Sequence, residues 1–258
     1  MKTRLFYLLI FLSVLIGLGL VFGGERIASS KWANDMFPGA VLGSGKIETE
    51  TRTPGEFDSI TVAYPATIVV HQGDEYLVTV EADDNLLPQL VTTLRDRALF
   101  IENGEGNYFK RVAPTQAVKI TIIVKDLNEI VLARPGRVEV NGLKTGKLDL
   151  GLKSAGEVIL QDLEADALNV YMYGGKVTSA GTANQLSVSI GKSGEFDGTN
   201  LHTLTANVQI GGTASTTVRV SDSLSVSLSG SVAVNYYGSP KEIHESISGA
   251  ASINKLGD

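Results

Sequence analysis

Cysteine is absent from this 258-residue chain, and histidine is scarce, with three residues. The chain therefore has no disulfide, no thiolate nucleophile, no cysteine-bound metal and no acylated cysteine of a bacterial lipoprotein. His71, His202 and His244 are too far apart in sequence to form a spacing such as HxxxH. We expect no catalytic residues, no metal and no cofactor, and the sequence predicts a protein that is not an enzyme.

Basic residues form no block beyond the first few positions of the chain. The net charge is −6, from 28 acidic and 22 basic residues. Because the phosphate backbone of a nucleic acid binds to positively charged surfaces, we expect no nucleic-acid partner.

Proline is rare, with 7 residues, whereas glycine is abundant, with 28. Hydrophobic residues make up 43% of the chain and its mean hydropathy is +0.11, so it can bury a substantial core. Frequent serine, threonine and valine beside so much glycine favour short strands joined by tight turns. The composition predicts an all-β protein.

The N-terminus predicts export. Lys2 and Arg4 precede an uncharged, apolar run from Leu5 to Gly24, which is about as long as a segment that spans a bilayer as a helix. We interpret residues 1–24 as an N-terminal hydrophobic helix that is either a cleaved signal peptide or a retained signal anchor. The rest of the chain is expected to cross the inner membrane, to the periplasm or the cell surface, anchored by residues 5–24 if they are retained.

Residues 25–45 are rich in glycine and contain Pro38, which predicts a linker before a folded domain at residues 46–258. GSGK at Gly43 to Lys46 looks like the end of a phosphate-binding loop. The required glycine and hydroxyl residue are missing, however, since Ala40 and Ile47 occupy their positions. We interpret the match as coincidence.

The C-terminal half repeats a short pattern in which large apolar residues stand at every second position. LSVSIGKSG at residues 186–194 and LSVSLSG at residues 224–230 are examples. The segments begin at steps of 18, 20, 18, 20 and 18 residues, at Ile130, Leu148, Leu168, Leu186, Ala206 and Leu224. Because side chains alternate across a strand, each of these residues shares one face with those two and four positions later. That face is apolar except at Arg134.

The opposite face of the same strands carries small polar residues and two tyrosines. We call it the polar face, and it comprises Asp149, Gly151, Lys153, Asn169, Tyr171, Tyr173, Ser187, Ser189, Gly191, Asn207, Gln209, Gly211, Ser225, Ser227 and Ser229. Glycine follows most of these strands, as at residues 156, 175, 194, 212 and 230, where a corner needs backbone freedom. A second apolar stretch comes after most corners, so each repeat holds at least two strands.

A unit of 18–20 residues cannot close a core of its own, whereas stacked units can. The pattern therefore favours a parallel β-helix, or β-solenoid, with one repeat per coil. An antiparallel sandwich is the alternative, because it also has short alternating strands and regular turns. A sandwich gives no reason for the constant period.

The N-terminal half is less regular. Strands are predicted at residues 57–62, 67–70, 76–81, 99–101 and 118–124, with a short helical or irregular interruption at residues 85–91. Asp83 and Asp84 follow the third of these strands, and we interpret them as a solvated turn rather than an acid/base pair.

Several segments resemble the autotransporter-adhesin "head GIN" domain family. They include QGDEYLVTVEADDNLL at residues 72–87 and YYGSPKEI at residues 236–243, within a resemblance that covers residues 43–257. The resemblance implies an exported bacterial protein with a right-handed parallel β-helix. It supplies no catalytic residues.

Tyr171 and Tyr173 are expected to project from one strand with small neighbours and to form a platform for a sugar ring or an aromatic side chain. Asn169, Asn207, Gln209 and Lys153 would add polar contacts. We therefore predict adhesin-like binding of an envelope glycan or protein. A structural element of the envelope and an enzyme acting on polysaccharides through Lys153, Arg134 and Arg137 are the alternatives. Tyr236 and Tyr237 are expected to cap the final coil.

Overall fold

The computed structural model describes residues 40–104 and 112–258. Within these ranges the protein is all-β, and its only helical turn is a 3₁₀ turn at Leu87–Gln89. No helix in the described ranges has the length and apolarity needed to span a bilayer. The predicted hydrophobic helix and the whole of residues 1–24 lie outside the described residues.

The described strands are numbered in chain order, and the later ones run through several faces of the structure without a break. They are β1 (Val41–Leu42), β2 (Ile47–Arg52), β3 (Ser59–Val62), β4 (Thr67–Gln72), β5 (Leu77–Asp83), β6 (Leu90–Arg95), β7 (Ala98–Asn103), β8 (Val112–Ala113), β9 (Lys119–Val124), β10 (Glu129–Leu132), β11 (Arg137–Asn141), β12 (Lys144–Leu152), β13 (Glu157–Met172), β14 (Lys176–Ile190), β15 (Ser193–Tyr237) and β16 (Glu242–Gly257).

The strands form a β-solenoid of about 6 turns. From β10 onwards, equivalent strands of successive coils pair in parallel, so that Leu148 pairs with Leu168, Leu168 with Leu186 and Leu186 with Ala206. An antiparallel sandwich is excluded by these pairings, and the predicted β-solenoid is confirmed.

The predicted apolar face lines the inside of the solenoid. Leu148, Leu168 and Val188 are fully buried there. The sequence register was wrong by two residues at its first step, since Ile130 pairs with Leu150 rather than Leu148. A shift of two leaves the same side chains inside, which is why the alternation alone did not reveal the error.

A second ladder of paired strands forms another side of each coil. Arg137, Glu157, Lys176 and Glu195 stand at paired positions in four successive coils, so the sign of the charge alternates along the row. Arg137 contacts Glu139 and Glu157, and Lys176 Nζ lies 2.8 Å from a Glu195 carboxylate oxygen. The hydrogen bond to Glu139 raises the pKa of Arg137, and that to Glu195 raises the pKa of Lys176. Opposite charges at paired positions favour this register.

Glycine forms one corner of the stack, as predicted. Gly175 has a φ of 86°, and a Cβ at this position would lie 2.4 Å from the carbonyl oxygen of Gly156 in the preceding coil. Three coils later, a Cβ at Gly230 would lie 2.4 Å from the carbonyl oxygen of Gly212. Any larger residue would force the two coils apart at this corner.

The N-terminal end differs from the rest because strand direction reverses there. β5 pairs antiparallel with β2 and β9, and β6 pairs antiparallel with β7. The turn between β5 and β6 buries Leu86 and Leu87, and Leu90 at the start of β6 is also buried. Arg52 donates hydrogen bonds to the carbonyl oxygens of Leu87 and Leu90. The predicted interruption at residues 85–91 is therefore a short 3₁₀ turn that leads into β6 and packs Leu87 and Leu90 against the core.

Asp83 is fully buried, so its interpretation as part of a solvated turn was wrong. One carboxylate oxygen accepts hydrogen bonds from the Gly45 amide at 2.8 Å and the Thr115 hydroxyl at 2.6 Å, and the other accepts from the Thr115 amide at 2.9 Å. Burial, together with the charge on Asp83, raises the pKa of Tyr64 to about 12. Asp83 thus fastens two separate segments to the N-terminal end.

The last coil extends beyond the predicted end of the stack. β16 pairs in parallel with β15 over residues 223–237 of β15, and Tyr237 pairs with Gly257. The prediction that Tyr236 and Tyr237 cap the final coil was therefore wrong. Arg219 instead lies 4.7 Å from the centre of the Tyr237 ring.

We expect Leu168→Ala to lower the free energy of unfolding by about 3 kcal/mol, because it removes buried methyl groups from the middle of the inner ladder. Urea unfolding followed by circular dichroism measures the loss. Ser187→Ala, on the polar face of the next coil, is the control and should change the value by less than about 0.5 kcal/mol. Equal effects of the two changes would contradict the inward position of Leu168.

Asp83→Ala should lower the free energy of unfolding by about 2 kcal/mol, because it removes the buried carboxylate that accepts hydrogen bonds from the amides of Gly45 and Thr115 and from the Thr115 hydroxyl. The same urea titration measures it, and limited proteolysis should cut near residues 43–46 sooner in the variant. Asp84→Ala, at the neighbouring and more exposed carboxylate, should cost less. An unchanged midpoint for Asp83→Ala would contradict the fastening role.

Candidate functional site

The polar face lies on the outside of one parallel ladder, and its residues form rows that run along the solenoid axis. One row contains Gly151, Tyr171, Ser189 and Gln209, and the neighbouring row contains Asp149, Asn169, Ser187 and Asn207. Parallel strands lie about 4.8 Å apart, so residues two coils apart in a row are separated by about 10 Å. All six predicted site residues thus lie on one surface.

Tyr171 and Tyr173 are the most exposed large side chains of this surface, at 52% and 66%. Tyr171 stands between Gly151 and Ser189 at paired positions, as expected. The ring of Tyr173 lies over Gly191, since a Cβ at that glycine would be 3.6 Å from Tyr173 Cε1. Small residues therefore flank Tyr171 on both sides and Tyr173 on the Gly191 side.

Asn169 belongs to a polar network at the edge of the tyrosine pair. Its Nδ2 donates a hydrogen bond of 2.8 Å to Asp149 Oδ1, and Lys147 Nζ lies 2.8 Å from Asp149 Oδ2. The hydrogen bond to Asp149 raises the pKa of Lys147. The side-chain amide of Asn169 is thereby held in one orientation.

A groove of about 290 Å³ runs beside the tyrosines and crosses four successive coils. We call it the axial groove. Its polar lining consists of Asn169, Gln185, Ser187, Thr205, Asn207, Ser223 and Ser225. Hydroxyls and amides line it, and none of the described lining residues carries a charge. It spans three strand spacings, or about 14 Å.

A second crevice, of about 320 Å³, adjoins the axial groove, since Asn184 and Leu204 of its lining directly precede Gln185 and Thr205 of the groove. It contains His202, the exposed Leu204 and Arg219. Arg219 is already engaged, because its Nε donates to the Thr199 carbonyl oxygen at 2.9 Å and its Nη1 to the Asp258 carbonyl oxygen at 3.2 Å. This arginine holds the last coils together.

Sequence reasoning missed Gln185, Thr205 and Ser223, which lie one position before each apolar segment and complete the axial groove. It also missed the crevice. The signal for the crevice is coil length, since Leu186 to Ala206 spans 20 residues and Ala206 to Leu224 spans 18. A shorter coil beside a longer one leaves a step in the surface.

The residues considered for catalysis or phosphate binding are dispersed or engaged. His71, His202 and His244 lie in β4, β15 and β16, and Arg137 is paired with two glutamates. Arg134 also has a partner within the protein. Ser44 and Gly45 of the GSGK segment donate their amides to Asn85 and Asp83. Across residues 40–104 and 112–258, no cluster of histidine and carboxylate side chains has the arrangement of a metal site.

Solved structures share the fold. A crystal structure described as a "putative adhesin" from Bacteroides fragilis is 26% identical, with a TM-score of 0.76 over 83% of this chain and 98% of that chain. A "putative lipid binding protein" from Parabacteroides distasonis is 24% identical with a TM-score of 0.69, and a "putative adhesin" from Parabacteroides merdae is 18% identical with a TM-score of 0.65. Both have the same coverage of the two chains, and at this identity they show the fold alone.

The sequence matches no curated protein. Residues 56–240, which include most of the solenoid and the whole polar face, match a family described as "Putative auto-transporter adhesin, head GIN domain". That match spans well over half of the chain and agrees with the resemblance carried by residues 72–87 and 236–243. The chain therefore belongs to the auto-transporter adhesin head GIN domain family.

Proposed function

We propose that this protein is a non-catalytic, adhesin-like protein of the bacterial envelope or surface that binds a glycan through its polar face. The observation that carries the proposal is the axial groove with two exposed tyrosines beside it. Family membership supports a role in adhesion and export.

The lining of the axial groove suits a neutral sugar chain. Serine and threonine hydroxyls and asparagine and glutamine amides both donate and accept hydrogen bonds, as sugar hydroxyls do. A charged polymer would gain little, because no charge lines the groove among the described residues. A length of about 14 Å along the axis fits an oligosaccharide better than a single ring.

The tyrosines supply the apolar part of the site. The face of a sugar ring is lined by C–H groups, which pack on an aromatic ring whose hydroxyl stays in water. Tyr171 lies in β13, two residues after Asn169 of the groove, and Tyr173 follows directly after the end of that strand. Gln209 and Lys153 extend the same surface on either side and would contact groups further along the chain.

Other occupants and roles fit this surface less well. A relative is described as a "putative lipid binding protein", but only Leu186 and Ala206 of the groove lining are apolar, and an acyl chain would cover the hydroxyls and amides of the rest without bonding to them. A protein partner would also use the tyrosines, and a purely structural role in the envelope would leave the groove unoccupied. A polysaccharide-acting enzyme would need Lys153, Arg134 and Arg137 as its charged groups.

Export is part of the proposal. We propose that residues 5–24 deliver the solenoid across the inner membrane, and that the residues between them and β1 connect them to it. We also propose a right-handed coil, because parallel strands joined by crossover connections almost always have that hand.

A glycan array with the full chain in a neutral detergent tests the site. We expect the wild type to bind neutral oligosaccharides, with longer chains bound more tightly than monosaccharides. Tyr171→Ala/Tyr173→Ala should weaken binding about tenfold or more, as should Asn169→Ala/Asn207→Ala.

Leu94→Ala, at an exposed leucine of β6 that lies several strands away from the polar face, is the matched control and should leave binding unchanged. Wild type that binds no glycan, or a double tyrosine variant that binds as well as wild type, would contradict the proposal. A pull-down from envelopes that loses a protein in the tyrosine variant would favour a protein ligand. Turnover of a polysaccharide that depends on Lys153 would favour the enzyme.

A further inference from the structure

The last coil carries a charged residue at a position that is apolar in every coil before it on this ladder. β16 continues the ladder, with Ile243 paired to Leu224, Glu245 to Val226 and Ile247 to Leu228. The inward positions from Ile130 to Leu228 are otherwise aliphatic or methionine and are buried. Glu245 therefore occupies a core position of the repeat, although its own side chain is exposed.

The same residues turn their backbone groups away from the stack. In earlier coils, the backbone N–H and C=O groups of an outward-facing residue form hydrogen bonds with the preceding coil. Those of an inward-facing residue form hydrogen bonds with the following coil. Tyr173 N–H donates to the Leu152 carbonyl oxygen, and the Met172 carbonyl oxygen accepts from Gly191 N–H. Continuing this alternation, Ile243, Glu245 and Ile247 direct their N–H and C=O groups away from β15. Among the described strands, β16 pairs only with β15.

This edge has the features of a surface that adds another strand. Ile243 and Ile247 are exposed at 40% and 44%, whereas the residues they stack on are buried. Unpaired backbone groups next to apolar side chains are what a further strand needs.

A second copy of this chain would fit the edge by two-fold symmetry. If two β16 strands pair antiparallel about Glu245, Ile243 of each copy lies opposite Ile247 of the other. That arrangement buries all four isoleucines and satisfies the forward backbone groups. It also sets the two Glu245 carboxylates opposite each other in a site that loses its water.

We infer that Glu245 keeps the C-terminal coil from pairing with a second copy of the chain. Two like charges directly opposite each other destabilise a strand pair, and burying them without a partner costs more. The charge stands at the one inward position that lies between the two isoleucines. A single carboxylate thus protects an edge that the repeat would otherwise extend.

Glu245→Val tests the inference, since it restores the apolar residue of the preceding coils. Analytical ultracentrifugation of the full chain in a neutral detergent should show the wild type as a monomer. The variant should form a dimer with an association constant at least about tenfold higher. Circular dichroism should be unchanged, because the Glu245 side chain is exposed.

Two further variants distinguish pairing of the β16 strands from non-specific hydrophobic association. Glu242→Val makes the same change of charge and side chain at an outward position of the same strand and should stay monomeric. Glu245→Pro removes the charge but also the forward N–H, without breaking a bond to β15, and should stay monomeric too. Dimers of the wild type, a monomeric Glu245→Val, or equal association of Glu242→Val or Glu245→Pro would overturn the inference.

Discussion

Parallel pairing of equivalent strands in register is the constraint on which the rest of this structure depends. Each coil buries only half of its residues, and it can do so only against the coils on either side. Leu148, Leu168 and Leu186 form a continuous core because the chain returns to the same place after 18 or 20 residues. The same return aligns the outward residues in rows. The polar face is thus the outer side of the strands whose inner side forms the core. A change in strand register would shift the inward and outward residues together.

Alternation and period were sufficient to predict the solenoid, the inward residues and the corner glycines, because each follows from local side-chain direction. They were insufficient where two arrangements bury the same residues. Ile130 opposite Leu148 and Ile130 opposite Leu150 both keep the aliphatic side chains inside, so the sequence did not distinguish them. Strand direction also leaves no mark on alternation, which hid the antiparallel β5 and β6. Asp83 looked like a turn residue because its two partners, Gly45 and Thr115, are remote in sequence.

The site was predictable to the same extent. Tyr171 and Tyr173 stood out because large rings interrupt a face of small residues, and the ladder placed Gly151 and Ser189 beside them as expected. The axial groove was not predictable from single strands. It is lined by residues from four consecutive coils, and three of them, Gln185, Thr205 and Ser223, lie one position before the apolar segments. A groove of this kind forms only when coils stack, and no single coil contains it.

The two ends of the solenoid solve one problem in different ways. The edge strand that pairs with the next coil can also pair with a strand of another chain. The edge at each end of a β-solenoid must therefore be protected from such pairing. At the N-terminus the chain reverses direction and packs Leu87 and Leu90 against the core, and Asp83 and Arg52 hold the segments there in place. This arrangement needs many residues. At the last described coil, substitution of one inward position is enough, because a carboxylate can stand at the core position only while water reaches it. The pattern that builds the repeat therefore also identifies the residue that departs from it, and the departure is at the edge, where it costs the core nothing.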